Sequence, residues 1–320
     1  MFEHRWAKFV AFFTFCMLVI GGNVNVQGAS LACPEASFVC HGKLFPQMTG
    51  GVLYEHGHRQ WGMILGLLQI VLTASLLVRR KELKGLAWLT FAMVCVQGAL
   101  GALTVYTKLP WYVSTAHLLF GMSYFATLIV IVYRTRPVTG PLPEEANRHR
   151  DRLAALGSGR RWIQLALGTL IVQLTLGALV RHHEATLVCL DMPACNAGVY
   201  WTGGLEQGLH MIHRGFGVVT AVVTLIAAAM VWRRAATWRA LRTLVVLAAL
   251  VAVGQVVLGI LTVLTLRSTP AALGHFAGAM LLWTAWIGAF IATGSGKRAM
   301  ASGRERKVAT PPAGAAGALS

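Results

Sequence analysis

The chain has 320 residues, 56% of them apolar and only 12% charged, with a net charge of +17. Soluble globular domains carry about 25% charged residues, so a cytosolic enzyme, a disordered chain and a coiled coil are excluded. In a soluble protein the basic excess would point to nucleic acid. Here no nucleic-acid partner is expected, and the apolar bulk places the basic residues in the loops of a polytopic membrane protein surrounded by lipid.

In chain order, runs long enough to cross a bilayer fall near 7–26, 61–78, 86–106, 112–133, 162–180, 209–232, 241–265 and 271–293. They are continuously apolar rather than alternating, so they read as helices and not as barrel strands. The first run begins like a signal peptide, but its residues recur in a later internal helix, which makes it a span. The segment 134–161 carries Pro137, Gly140, Pro141 and Pro143 among mixed charges and reads as a solvated linker. The expected organisation is an N-terminal bundle over 1–137, a linker over 138–161, a C-terminal bundle over 162–296 and a disordered tail over 297–320. Of the 28 Lys and Arg, 22 fall on the side holding both termini and six on the other. The positive-inside rule puts both termini in the cytoplasm of a bacterial plasma membrane and the long loops after the first and fifth spans outside.

The two halves repeat. Gln97, Leu100, Gly101, Thr104 and Val105 recur as Gln255, Leu258, Gly259, Thr262 and Val263, and His117 recurs as His275. His58-Arg59 recurs as His213-Arg214, Trp6 as Trp162, and Cys33 and Cys40 as Cys189 and Cys195. Four spans per half make the repeats parallel. The fold class is therefore an all-α membrane protein of eight transmembrane helices in two parallel-repeat four-helix bundles.

Ionisable residues at membrane depth are rare and read as functional. His58 and His213 are expected to open the second and sixth spans, and His117 and His275 to lie in the first turns of the fourth and eighth. All four then sit near the outer face, and the two of each half can oppose each other. Two opposed imidazoles are what a six-coordinate haem iron requires. Arg59 and Arg214 could pair with haem propionates, and the glycines of the Gln-x-x-Leu-Gly segments could admit a flat macrocycle. Interfacial histidines bonded to loop backbone are the bland alternative. Zinc is another, but it usually takes four ligands. His56 and His210 are extra candidates, whereas His4, His41, His149, His182 and His183 read as solvated. Cys16 and Cys95 read as small core residues. Cys33 with Cys40 and Cys189 with Cys195 lie in outer loops, where thiols are oxidised, and are expected to form disulfides. A redox role for one pair stays open.

Eight spans in two halves, the outer cysteine pair, Glu55-x-x-His58-Arg59, the Gln97 segment and the repeated histidines resemble the haem A synthase family, over about residues 5–295. The resemblance implies oxidation of the C8 methyl of haem O to a formyl group, giving haem A for cytochrome oxidase. It also implies haem b iron on His213 and His275 as cofactor, and haem O as substrate near His58 and His117. Glu55 matches the family's acidic residue beside the substrate. A carboxylate one turn from a haem edge can accept protons or stabilise developing positive charge, and the second half has His210 in its place. A helix-capping acid is the plain alternative for Glu55. An electron donor of the quinol type, a haem O synthase or oxidase-assembly partner, and self-association are further expectations. The same histidines would serve a dihaem b-type, quinol-oxidising electron carrier. A parallel-repeat transporter would need a polar midplane and broken helices, which the spans lack.

Overall fold

In lipid an apolar segment must satisfy its own backbone, and the α-helix does so within one segment. The computed structural model describes residues 1–137, 142–201 and 203–294. Its described residues form nine α-helices: α1 (Phe2–Val26), α2 (Gly50–Arg79), α3 (Lys84–Tyr106), α4 (Trp111–Thr135), α5 (Leu142–Leu156), α6 (Gly159–His182), α7 (Leu205–Arg234), α8 (Arg239–Leu264) and α9 (Thr269–Ala292). All but α5 are long and apolar enough to cross a membrane. Leu67, Val78 and Leu250 stand exposed on their outer faces, as expected for helices that are apolar all round and face lipid.

In the first half α1 and α3 each pack on both α2 and α4, and in the second α6 and α8 each pack on both α7 and α9. The halves meet through α1 on α9 and through α4 on α6 and α9. There Trp283 Nε1 donates to the Met122 carbonyl at 3.3 Å. Fully buried alanines, among them Ala87, Ala166, Ala248 and Ala289, let the helices approach closely, which is how membrane helices associate. The turns α3–α4 and α8–α9 are alike: each holds two successive left-handed residues, Lys108-Leu109 and Leu266-Arg267.

Three expectations are corrected. α2 and α7 start at Gly50 and Leu205, upstream of the apolar runs, because Glu55 pairs with Arg59 and Arg214 is satisfied by loop carbonyls inside the fold. His58 and His213 therefore lie in the third turns of their helices rather than opening them, and His117 and His275 lie in second turns. The linker is not simply solvated: it contains amphipathic α5, whose Leu156 is buried and whose Leu153 packs on the core. Residues 138–141 of that linker, Gly140 and Pro141 included, and the expected tail over 297–320 lie outside the described residues. Cys16 is half-buried and Cys95 exposed, so neither is a core residue; α3 turns Cys95 outward.

Candidate functional site

Helices α1–α2, α3–α4, α6–α7 and α8–α9 pair in the same way. The second helix of each pair carries a histidine whose ring lies against a glycine of the first. His58 faces Gly21, His117 faces Gly101, His213 faces Gly177 and His275 faces Gly259; a Cβ on these glycines would meet the ring Cε1 at 2.7, 3.1, 3.0 and 3.2 Å. Four residues before these glycines stand Met17, Gln97, Gln173 and Gln255. Gln97 Nε2 donates to the His117 carbonyl at 3.0 Å, and Gln173 Nε2 to the His213 carbonyl at 3.1 Å. Gln173 Nε2 also reaches His213 Nδ1 at 3.1 Å. The Gln-x3-Gly element is thus a cradle for the imidazole. This corrects the expectation that Gly101 and Gly259 admit a macrocycle: the space their missing side chains leave is filled by the histidine rings.

The structure brings the predicted histidines together within each half. The His213 and His275 rings stand 6.5 Å apart, centre to centre, and perpendicular at 89°. His58 and His117 are close enough to interact electrostatically. A cavity of about 800 Å³ is lined by His213, His275, Gly177, Gly259 and Met280, within the usual size range of cofactor sites. An iron bonded to both imidazoles at about 2 Å each would separate the ring centres by roughly 6 Å, and the observed spacing meets that. Nδ1 of His58, His117 and His275 is buried without a hydrogen-bond partner. The residues of the second half therefore fit a haem held between His213 and His275.

Arg59 and Arg214 are placed differently from the expectation. Arg59 donates to the carbonyls of Cys33, Glu35, Ser37 and Val39 and pairs with Glu55. Arg214 donates to the carbonyls of Cys189, Asp191 and Ala194, and its Nε to His210 Nε2 at 3.2 Å. Both guanidiniums tie the disulfide-bearing loops to α2 and α7. Loop carbonyls and Glu55 already surround Arg59, whereas Arg214, though bonded to three loop carbonyls, also lines the cavity beside His213. Glu55 is buried, with Oε1 on Arg59 and Oε2 accepting the Cys33 N–H at 2.9 Å. It is neither exposed nor the cap of α2, whose N-cap is Thr49.

Each tied loop is closed by a disulfide, Cys33–Cys40 and Cys189–Cys195. Each also ends in a turn with two left-handed residues, His41-Gly42 and Ala197-Gly198. Glu35 accepts the N–H groups of His41 and Gly42 at 3.0 and 2.8 Å, and Asp191 accepts that of Ala197 at 2.8 Å. Desolvation works against the Glu35 charge, but these N–H groups hold its carboxyl below the ordinary value. Cys33, Cys40 and His56 cluster within metal-ligand range, yet disulfide sulfurs offer no thiolate. His56 instead contacts the Leu44 carbonyl and Gln60. His56 and His210 both turn to the loop machinery.

The residues read as solvated histidines also have partners. His182 Nδ1 meets Thr115 Oγ1 at 3.0 Å and His183 stacks on Trp111 at 4.7 Å, both across the two halves. His4 contacts the Val132 carbonyl, His149 the Gly294 carbonyl and His41 the Ala32 carbonyl; of these His41 alone is exposed.

A family described as cytochrome oxidase assembly protein (COX15-CtaA) matches residues 49–287. The chain belongs to this family. Among curated relatives, the heme A synthase of Exiguobacterium sibiricum is 30% identical over 66% of this chain and 70% of its own length. Those of Alkalihalophilus pseudofirmus and Halalkalibacterium halodurans are 26% and 27% identical, over 81% and 88% of this chain and 86% and 95% of theirs. The family match spans both helix-pair cradles of the second half and the α3–α4 cradle of the first. Sequence reasoning missed Gly21 and Gly177 and the role of Gln173. A signal was present: of the five Gln-x3-Gly stretches, at 47, 97, 164, 173 and 255, the three at 97, 173 and 255 lie one helix before a predicted histidine at matched repeat positions.

Proposed function

We propose that the protein is a haem A synthase, a multi-pass membrane oxidoreductase converting haem O to haem A for cytochrome oxidase. The perpendicular His213–His275 pair across a cavity, in a chain of this family, carries the reading. The two halves act as parallel repeats: 1–137 takes haem O near His58 and His117, and 162–296 keeps haem b on His213 and His275. A resident haem supplies one-electron transfer when bound. The chain's own residues orient and seclude. Gly177 and Gly259 fix the ligand rings, Gln173 directs His213, and the Arg59 and Arg214 clamps hold disulfide-closed loops over the outer ends of the bundles. Glu55 places a buried negative charge one turn from His58, where positive charge develops as the methyl carbon is oxidised.

Basic loops on one side, and disulfide loops at the end that carries the histidines, support cytoplasmic termini and haem sites near the outer face. A quinol-type donor and an oxidase-assembly partner complete the proposal. The dihaem carrier is not favoured, because a plain carrier gives no reason for Glu55 in one half only. Expression with a source of haem O, followed by haem extraction and chromatography, tests the function. Haem A or its hydroxylated precursor is expected; haem O and haem b alone would overturn it.

A further inference from the structure

Two arginines that line the second-half cavity belong to no part of the machinery described so far. Arg181 closes α6, and Arg267 sits in the turn between α8 and α9. Arg181 Nη2 donates to the Gly22 carbonyl at 2.8 Å, while its Nε is buried without a partner. Its guanidinium lies over the ring of Phe276, the neighbour of His275, at 5.1 Å. Arg267 Nη2 donates to the carbonyl and the side-chain oxygen of Asn25 at 2.6 and 3.1 Å. Neither forms an ion pair among the described residues, and the two are near enough to repel each other. Arg214 lines the same cavity but is taken up by three loop carbonyls and His210; two further cations facing it are costly unless an anion joins them.

The repeat sharpens the point. The offset that takes Cys33 to Cys189 takes Asn25 to Arg181, and the offset that takes His117 to His275 takes Leu109 to Arg267. The turns are otherwise the same: Leu109 and Arg267 are both left-handed, and their N–H groups donate to Thr104 and Thr262 carbonyls at 2.7 Å. The backbone is kept and the cation is displaced: the first-half turn carries Lys108, exposed and one position earlier, where the second carries Arg267. Neither Arg181 nor Arg267 has an arginine at its matched position in the substrate half.

We propose that Arg181 and Arg267 form a dianion clamp that holds the two propionate carboxylates of the resident haem. The proposal rests on the haem b reading of the second half. Arginine's planar fork suits carboxylates, and the α1 contacts use one nitrogen of each guanidinium. Because Gly22 and Asn25 belong to the first half, the clamp also seats the cofactor against the partner bundle. The substrate half, with Asn25 and Leu109 at the matched positions, grips its macrocycle without such a clamp.

The test loads the purified full chain with iron protoporphyrin IX or with its dimethyl ester and times release to excess apomyoglobin. Wild type is compared with Arg181→Asn, Arg267→Leu and the double variant, each taking the residue type of the matched position. A charged hydrogen bond contributes about tenfold or more. Each single variant should therefore release the diacid about tenfold faster and the double variant about a hundredfold faster. Wild type should release the ester about a hundredfold faster than the diacid, and the double variant should treat them alike. A low-spin spectrum before release shows that both histidines remain in place. Should the double variant fail to accumulate, the ester comparison on wild type decides alone. Wild type that carries low-spin haem but releases ester and diacid equally, or a double variant that keeps the diacid preference, overturns the clamp only. Wild type without low-spin haem overturns the haem b reading, and the clamp with it.

Discussion

Replacing Gly21 by alanine tests whether the imidazole cradle controls the substrate half. A Cβ at this position would stand 2.7 Å from His58 Cε1, where ordinary contact begins near 3.4 Å. The ring must retreat by roughly 0.7 Å. Helix α1 cannot simply back away, because the next residue, Gly22, abuts the Phe276 ring on its other side. Overpacking of this kind costs about 1–3 kcal/mol, and replacing a mid-helix glycine by alanine returns about 1 kcal/mol. The net loss of about 0–2 kcal/mol leaves the protein folded. A misplacement of this order at a reacting group can still lower the rate about a hundredfold. Gly21→Ala should therefore give haem A ten- to a hundredfold more slowly, by extraction and chromatography, with the low-spin spectrum of the second half unchanged. Gly98→Ala on α3, where a Cβ meets nothing within 4 Å, is the control and should form product normally. Product at the wild-type rate from Gly21→Ala, with an unshifted melting temperature, would refute the cradle as the device that places His58.

His213→Ala or His275→Ala should abolish the low-spin haem spectrum while the protein still inserts; an intact spectrum in both variants would remove them as ligands. Alkylation of unreduced protein followed by mass spectrometry should label Cys16 and Cys95 and spare Cys33, Cys40, Cys189 and Cys195. Free thiols at those four positions would contradict both the pairing and the outer location of the loops. Glu55→Gln keeps shape but removes the charge facing Arg59, at about 1–3 kcal/mol. It should retain second-half haem and stop product at or before the hydroxylated stage, and product at the wild-type rate would make Glu55 a purely structural partner of Arg59 and Cys33.

The spans and the repeat were legible because hydropathy and spacing are properties of the chain itself. His58, His117, His213 and His275 stood out for the same reason: a titratable side chain in an apolar run has few bland explanations. The arginines show where this stops. Arg59 and Arg214 sit beside ligand candidates in sequence, and adjacency suggested a shared ligand. A helix sends neighbouring residues in directions about 100° apart, so His58 faces the bundle interior while Arg59 faces the loop. Arg181 and Arg267, by contrast, are not adjacent in sequence to His213 or His275. They reach the cavity only because α6 ends, and α8 turns, at the same depth. Likewise Gly21 sits in a run with no glutamine before it, so the pattern at 97, 173 and 255 did not reveal it.

The matched positions differ between the halves in both directions: Gln97 holds the His117 carbonyl where Gln255 Nε2 is buried without a partner, and the α1–α2 and α6–α7 pairs differ the other way. Gln173 bonds to His213, whereas its counterpart Met17 only reaches the space above Gly62. His213 is thereby oriented through Nδ1, while Nδ1 of His58 stays unpartnered. Arg214 faces neutral-capable His210, whereas Arg59 faces the carboxylate of Glu55. A cofactor that stays must lose little entropy at each turnover, and ligands already fixed by hydrogen bonds achieve this. A substrate that must depart is poorly served by the same rigidity, because tight uniform binding slows release without lowering the chemical barrier. On the proposed assignment, one repeated pattern of helix pairs meets two opposite demands. On that assignment the second half adds a donor to His213 and arginines at the cavity of the resident ring, while the first half has the buried carboxylate of Glu55 one turn from His58.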